Sequence, residues 1–199
     1  MIQPYPTHTY DRLFGTPGFS DVLLSHHFTL YQGYVKNTNT LFESLTKLAE
    51  QGKTGSPEFA ELKRRFGWEF NGMRLHELYF ANMAKTGTAP GQTAIEKALN
   101  EQFGSFDSWQ NDFVGVGSMR GIGWVILYHD PVGGHFFNTW INEHDQGHLS
   151  GAVPLLVMDV FEHAYALDYG IKKADYIEAF LKAVDWDVVR NRFEGGKGC

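Results

Sequence analysis

The sequence predicts an α+β fold: an antiparallel helical hairpin over residues 1–90, followed by an α+β unit over residues 91–199 with a small three-stranded antiparallel sheet. Three observations carry that expectation. From Ser20 to Gln51 there is no proline, and Leu23, Leu30, Tyr34, Leu41, Leu45 and Leu48 recur at helical spacing. A second helical stripe, Phe66, Phe70, Met73, Phe80 and Ala84, follows after only a short break. Beyond Pro90 the pattern changes to short segments rich in aromatic and β-branched residues.

Each element has its own punctuation. Ser20 or Asp21 caps the first helix and Gly52 stops it. Ser56-Pro57-Glu58 supplies a cap, a first-turn proline and a first-turn acid for the second, which runs to about Lys85. Two long helices joined by a short turn must lie antiparallel. The run 86–91 then breaks the chain. Residues 94–103 and 108–116 form two shorter helices separated by Gly104-Ser105. Trp124–His129 and Gly134–Asn142 flank Asp130-Pro131-Val132-Gly133, which is hairpin turn chemistry. Val153–Val160 makes a third strand, buried on both faces, and residues 176–184 and 186–193 return to helix.

Composition limits what such a chain can do. With 199 residues, 43% hydrophobic and 15% aromatic, it builds a substantial core and is not a disordered protein. A net charge of −6 with scattered lysines and arginines excludes a nucleic-acid backbone as partner. The most apolar stretch, Ala152–Val160, is far too short to span a bilayer. The single cysteine, Cys199, rules out an internal disulfide, and residues 1–11 lack the pattern of a secretory signal. A soluble, cytoplasmic protein is expected.

Histidine position points to chemistry. His76 sits on the apolar stripe of the second helix, and His26 lies one turn from Leu23 and Leu30 on the first. Histidines on the facing stripes of two helices can aim at one spot between them. A third contribution comes from Asp159-Val-Phe-Glu-His163, where a carboxylate and an imidazole emerge from a hydrophobic run. Burying both without partners is costly, and a metal ion would satisfy them. Three imidazoles with one carboxylate suit a first-row transition metal rather than calcium or magnesium. Residue by residue, core histidines bonded to backbone and a buried Asp–His pair explain the same pattern. No nucleophile elbow or dinucleotide fingerprint competes: Gly115-Val-Gly117-Ser-Met-Arg-Gly121 has one residue too many and no strand before it.

Over nearly its whole length the chain resembles the iron/manganese superoxide dismutase family. Asp159-Val-Phe-Glu-His-Ala-Tyr165 is similar to the family's D-V-W-E-H-A-Y, which implies that Asp159 and His163 are metal ligands and that Glu162 reaches the partner subunit's equivalent of His163. Tyr34-Val-Lys-Asn-Thr-Asn39 resembles Y-V-x-N-x-N, which implies the first ligand eight residues upstream, at His26. Leu75-His76-Glu77-Leu78-Tyr79-Phe80 resembles the block that holds the second ligand, His76. Gly121-Ile-Gly123-Trp124 resembles G-S-G-W, whose tryptophan lines the site. Arg192, six residues after Trp186, falls where the family carries a cation near the substrate funnel.

The departures carry expectations of their own. His27 faces about 100° away from His26 on a helix, so it is not expected to compete as a ligand. Phe80, Ile126, Phe161 and Arg74 stand where the family has tryptophans, leaving an apolar site apart from Arg74. The family's glutamine partner of the metal's solvent is absent: Gly72 occupies one of its positions and His144 the other, an arrangement that implies iron in preference to manganese. The resemblance implies superoxide disproportionation through alternate oxidation and reduction of one ion per subunit. Tyr34 would be the gateway phenol, and His144 would tune the potential. It also implies a homodimer, with pairing into tetramers left open. At the dimer seam the usual His and Tyr are both replaced, by Leu30 and Ala166, which are expected to meet across the interface near the site's mouth. Two other classes fit the residues: a different non-haem iron enzyme, or a non-catalytic metal-binding relative of the fold.

Overall fold

The protein is described here by a computed structural model that covers residues 3–195. Cys199 lies outside the described residues. Helix α1, Asp21–Glu50, starts at Ser20, whose side-chain oxygen accepts from the Leu23 amide at 3.0 Å. Helix α2, Pro57–Ala81, starts at Ser56 in the same way, with proline at its first turn. The expected hairpin is present.

Helix α2 stops four residues short of Lys85. The reason is Asn82, whose side chain bonds the Tyr79 and Val157 carbonyls and the Val157 amide. The chain there leaves the helix to pair Met83 with Val184. Helices α3 (Ala94–Phe103) and α4 (Phe106–Gly117) lead into strand β1, Gly123–Asp130. The hairpin to β2, His135–Asn142, turns on Asp130, whose carboxylate accepts from the Val132 and Gly133 amides. Strand β3, Val153–Asp159, pairs antiparallel with the other side of β1, giving the order β2-β1-β3. Helices α5 (Ala166–Tyr169), α6 (Lys173–Ala183) and α7 (Trp186–Gly195) complete the described residues. Two 3-10 turns, Asp11–Leu13 and Glu162–Ala164, and the four-residue α5 had no legible pattern.

The core is continuous across both halves. Tyr31, Tyr79, Phe80, Trp109, Phe113, Trp124, Tyr176 and Phe180 are its largest sealed side chains. Among the described residues no helix is long and apolar enough to cross a membrane.

Helix α1 buries Leu23, Leu45 and Leu48 of the expected stripe, but not Leu30. Leu24, His27, Phe28, Tyr31, Val35 and Thr38 point inward, at steps of three and four residues. Leu30 is 42% exposed. The inward stripe also carries aromatic and polar side chains that a count of leucines does not register, and Leu30 falls outside it.

Candidate metal centre

Four side chains converge where the hairpin meets the sheet: His27, His76, Asp159 and His163, with their ligand atoms all within 4.8 Å of one another. Asp159 ends β3, where it pairs with Trp124 of β1, and Tyr176 donates to its backbone carbonyl at 2.6 Å. Its Oδ1 accepts from the Phe161 amide at 2.8 Å, which turns Oδ2 toward the imidazoles. The following 3-10 turn folds His163 back until Nε2 lies 3.1 Å from that same Oδ2. His27 Nε2 stands at 3.1 Å and His76 Nε2 at 3.7 Å.

His26 is corrected by this arrangement. It is exposed on the outer side of α1, whereas His27 is 1% exposed and is the α1 histidine that joins the cluster. Seven helical residues return a side chain to within about 20° of its starting direction, but eight leave it about 80° away. His27 therefore shares its face with Tyr34 and His26 does not. His76, Asp159 and His163 are brought together as expected.

The cluster fits a metal ion. His76 donates from Nδ1 to the Gly72 carbonyl at 2.5 Å, so its Nε2 carries the lone pair. That nitrogen is fully buried with no hydrogen-bond partner, and it faces one carboxylate and two further imidazoles. An orphaned buried acceptor of this kind is rare unless something else fills the space. Donor atoms about 2 Å from a shared centre stand roughly 3–3.6 Å apart, close to the 3.1, 3.1 and 3.7 Å that separate Asp159 Oδ2 from the three imidazole nitrogens. Charge agrees. Burial depresses His27, and burial together with His27 pushes His76 well below its usual range, so both stay neutral. Burial alone would raise Asp159, but His163 and His27 outweigh it and hold the carboxyl well below the usual range.

Around the ligands lies an aromatic wall. Trp124 meets His76 edge-on at 5.0 Å, Phe80 meets His27 at 4.9 Å, and Phe161 stacks on His163 at 5.1 Å. Tyr34 stacks on His76 at 5.3 Å. Gly72 makes that possible, because a Cβ there would collide with the Tyr34 ring.

His144 is fully buried behind Tyr34, reached through Glu143, which takes a left-handed conformation with φ 52°. The Trp124 indole donates to His144 Nδ1 at 3.0 Å. An indole nitrogen can only donate, so neutral His144 carries its proton on Nε2. Burial lowers its pKa to about 4, so the neutral form prevails. Nε2 then donates to Tyr34 Oη at 2.8 Å. Both ring nitrogens are taken, which corrects the expectation that His144 bonds the metal's solvent directly. It acts on the phenol instead, and the Tyr34 proton is left to point elsewhere. Burial, with help from Glu69 and Asp159 and against Arg65, raises that phenol to about 12.

Two further expectations are corrected. Arg192 is 5% exposed and donates to the Leu78 and Leu155 carbonyls and to Asn82 Oδ1, tying α7 to the end of α2 and to β3. It cannot serve a funnel at Tyr34. Arg74 pairs with Glu77 at 2.9 Å in a separate cavity beside Arg12, so no cation from that position enters the site. Trp68, by contrast, was missed. Its ring edge meets His144 at 5.0 Å. The series Trp68, Gly72, His76, Phe80 at four-residue steps was the available signal.

Glu162, His163, Leu30 and Ala166 line one open cavity of about 620 Å³ on the outer side of the centre, together with His26 and Leu167. His163 is the one member of the cluster that reaches it, with its side chain 25% exposed.

The family model of the iron/manganese superoxide dismutase C-terminal domain matches residues 91–192. The chain is 36% identical over 194 residues to "Superoxide dismutase [Mn] 2" of Haloferax volcanii, covering 97% of this chain and 94% of that one. The chain belongs to the iron/manganese superoxide dismutase family. It is also 34% identical to "Superoxide dismutase [Fe]" of Saccharolobus solfataricus, over 87% of this chain and 84% of that one. Against the "Superoxide dismutase [Fe]" of Cupriavidus metallidurans the identity is 36%, over 88% and 89%. Relatives named for each metal are similarly distant, so identity alone does not choose between iron and manganese.

Proposed function

We propose that this protein is a superoxide dismutase that binds one ion per subunit through His27, His76, Asp159 and His163. The carrying observation is the buried, partnerless Nε2 of His76, facing one carboxylate and two imidazoles. Bound there, iron or manganese would supply the one-electron chemistry that turns two superoxide anions and two protons into dioxygen and hydrogen peroxide. The protein's tasks are local. Asp159 contributes one negative charge and three imidazoles contribute none, so the centre keeps a net positive charge that attracts an anion. Trp124, Phe80 and Phe161 restrict water around it. Tyr34 is the polar group between this centre and the outside, with its phenol held by His144 and its own proton free to move toward a peroxide product.

Iron is our preferred metal. His144 and Gly72 at the two positions where the family carries glutamine support it. We also propose a homodimer built on the cavity beside His163, where Leu30 and Leu167 are 42% and 56% exposed. Leu30 would then face the partner's Ala166, with Glu162 at the same seam. A cytoplasmic setting completes the reading, supported by a single cysteine in 199 residues.

The test is metal analysis of the purified protein, then superoxide removal after loading with iron or manganese separately. Activity with iron that manganese fails to match supports the full proposal. Manganese-only activity reverses the metal choice. Metal binding without activity points to a non-catalytic relative, and no binding refutes the site. Leu167→Glu should convert dimers to monomers in sedimentation. A wild-type monomer would reject the interface.

A further inference from the structure

A second cavity, of about 410 Å³, opens onto Tyr34 between α1 and α2, and it contains a charge pair that the ligand set does not explain. Arg65 lies four residues before Glu69 on α2. Its Nε and Nη2 both reach Glu69 Oε1, at 3.1 and 3.0 Å, while Asn37 of α1 donates to Glu69 Oε2 at 3.2 Å. The two charges are not equally accessible. Glu69 is sunk, with its side chain 7% exposed, whereas the Arg65 side chain is 46% exposed and lies over the Trp68 ring at 4.9 Å. Trp68 in turn abuts His144, and His144 holds Tyr34.

An anion approaching Tyr34 through this cavity meets a guanidinium first and a carboxylate behind it. The whole chain carries −6 and offers no general attraction. A lone carboxylate beside Tyr34 would repel superoxide where it must pass. Arg192, expected near the funnel, and Arg74, expected in the site, are engaged elsewhere. We propose that Arg65 and Glu69 form a charge-compensated gate on the superoxide path. Arg65 guides the anion and masks Glu69, while Glu69 and the Trp68 face fix the guanidinium in place. Glu69 anchors its partner and by itself opposes substrate. The two charges also act in opposite senses on the Tyr34 phenol, which is consistent with both lying near it.

This inference rests on the superoxide dismutase reading, so its test needs an arm independent of turnover. The second-order rate constant for superoxide removal is measured against ionic strength on metal-loaded protein. In parallel the dissociation constant of azide, a small monoanion that ligates oxidised iron and manganese, is taken from optical titration. Arg65→Ala should lower the rate constant roughly three- to tenfold at low salt and weaken azide by a similar factor, with the difference fading as salt screens the site. Arg65→Lys should keep most of both. Arg65→Ala combined with Glu69→Gln should recover most of the loss, because no bare carboxylate remains. Arg64→Ala, which removes a neighbouring exposed cation paired with Glu61, should change neither. Arg65→Ala with unchanged rate, salt slope and azide affinity overturns the gate. So does a double variant no better than Arg65→Ala, or an Arg64→Ala effect equal to that of Arg65→Ala. If the wild-type protein binds metal but removes no superoxide, the functional reading fails while the azide series still decides whether the gate admits anions.

Discussion

The floor of the site and its mouth are built on opposite principles. At the floor His27, His76 and Asp159 are sealed at 1%, 0% and 0% exposure, and backbone groups orient the last two. The Gly72 carbonyl sets the tautomer of His76, and the Phe161 amide turns Asp159. At the mouth, Tyr34 is half-buried and Arg65 is nearly half exposed. There orientation comes from pairs of side chains: His144 on Tyr34, and Glu69 with Trp68 on Arg65. The floor needs a rigid arrangement because a metal ion punishes small displacements of its donors. The mouth needs charge in the right place and must stay open to solvent.

The sharpest way to break this comparison uses two adjacent residues. His27→Ala should lose bound metal and lower superoxide removal by about a thousandfold or more, since one of four ligands goes. His26→Ala should keep metal and activity within about twofold, as exposed positions usually do. Metal content by elemental analysis, alongside the activity, decides. Equal losses in both would undo the assignment of faces on α1.

Acid should strike the buried histidines of both regions. In the metal-free protein, His144 has a folded pKa of about 4, below the unfolded value of about 6.5. Between those values the unfolded chain binds more protons, so stability present at pH 7 is lost as pH falls from about 6.5 toward 4. For His144 alone the loss is about 3 kcal/mol. His27 and His76 shift in the same direction and add to it. Asp159, whose folded pKa is depressed, removes further stability only as pH falls below about 4. Denaturant melts at pH 7, 5.5 and 4 measure the slope. A flat profile would mean that these histidines are not buried neutral.

Trp124→Phe separates the two regions. It removes the donor that fixes the proton on His144 Nε2, and with it the hold on Tyr34, without touching a ligand. Activity should fall about 10–100-fold with metal content intact, the usual range for groups that orient others. Loss of metal instead would show that the wall and the floor are one unit. The smallest effect belongs to Gly72→Ala. Its Cβ would push the Tyr34 ring off His76, costing about 1–3 kcal/mol in thermal stability and lowering activity more than metal affinity. An unchanged melting temperature would show that Tyr34 moves freely.

Much of this was legible in the chain itself. The cap at Ser56 and the hairpin turn at Asp130 were read from local chemistry and stand. The first cap falls on Ser20 of the two candidates, and the third strand, read as Val153–Val160, is present as Val153–Asp159. Local chemistry acts over three or four residues, which is why sequence carries it. Three of the four clustered residues, His76, Asp159 and His163, were likewise visible, because polar groups inside apolar runs need a shared reason to be buried. The choice between His26 and His27 was different. Both lie on one helix, one residue apart, and only the packing of α1 against α2 and the sheet selects the face that turns inward. Arg192 repeats the lesson: its type and position suited a funnel, yet the carbonyls of Leu78 and Leu155 capture it. Trp68, Arg65 and Glu69 acquire meaning only because α1 lies across them and brings Tyr34 and Asn37 to their side. The sequence by itself determined which elements form and which residue types must meet something buried. The tertiary structure decided which neighbour each one meets, because a side chain's partner depends on the rotation and depth of whole elements, and a local pattern does not encode either.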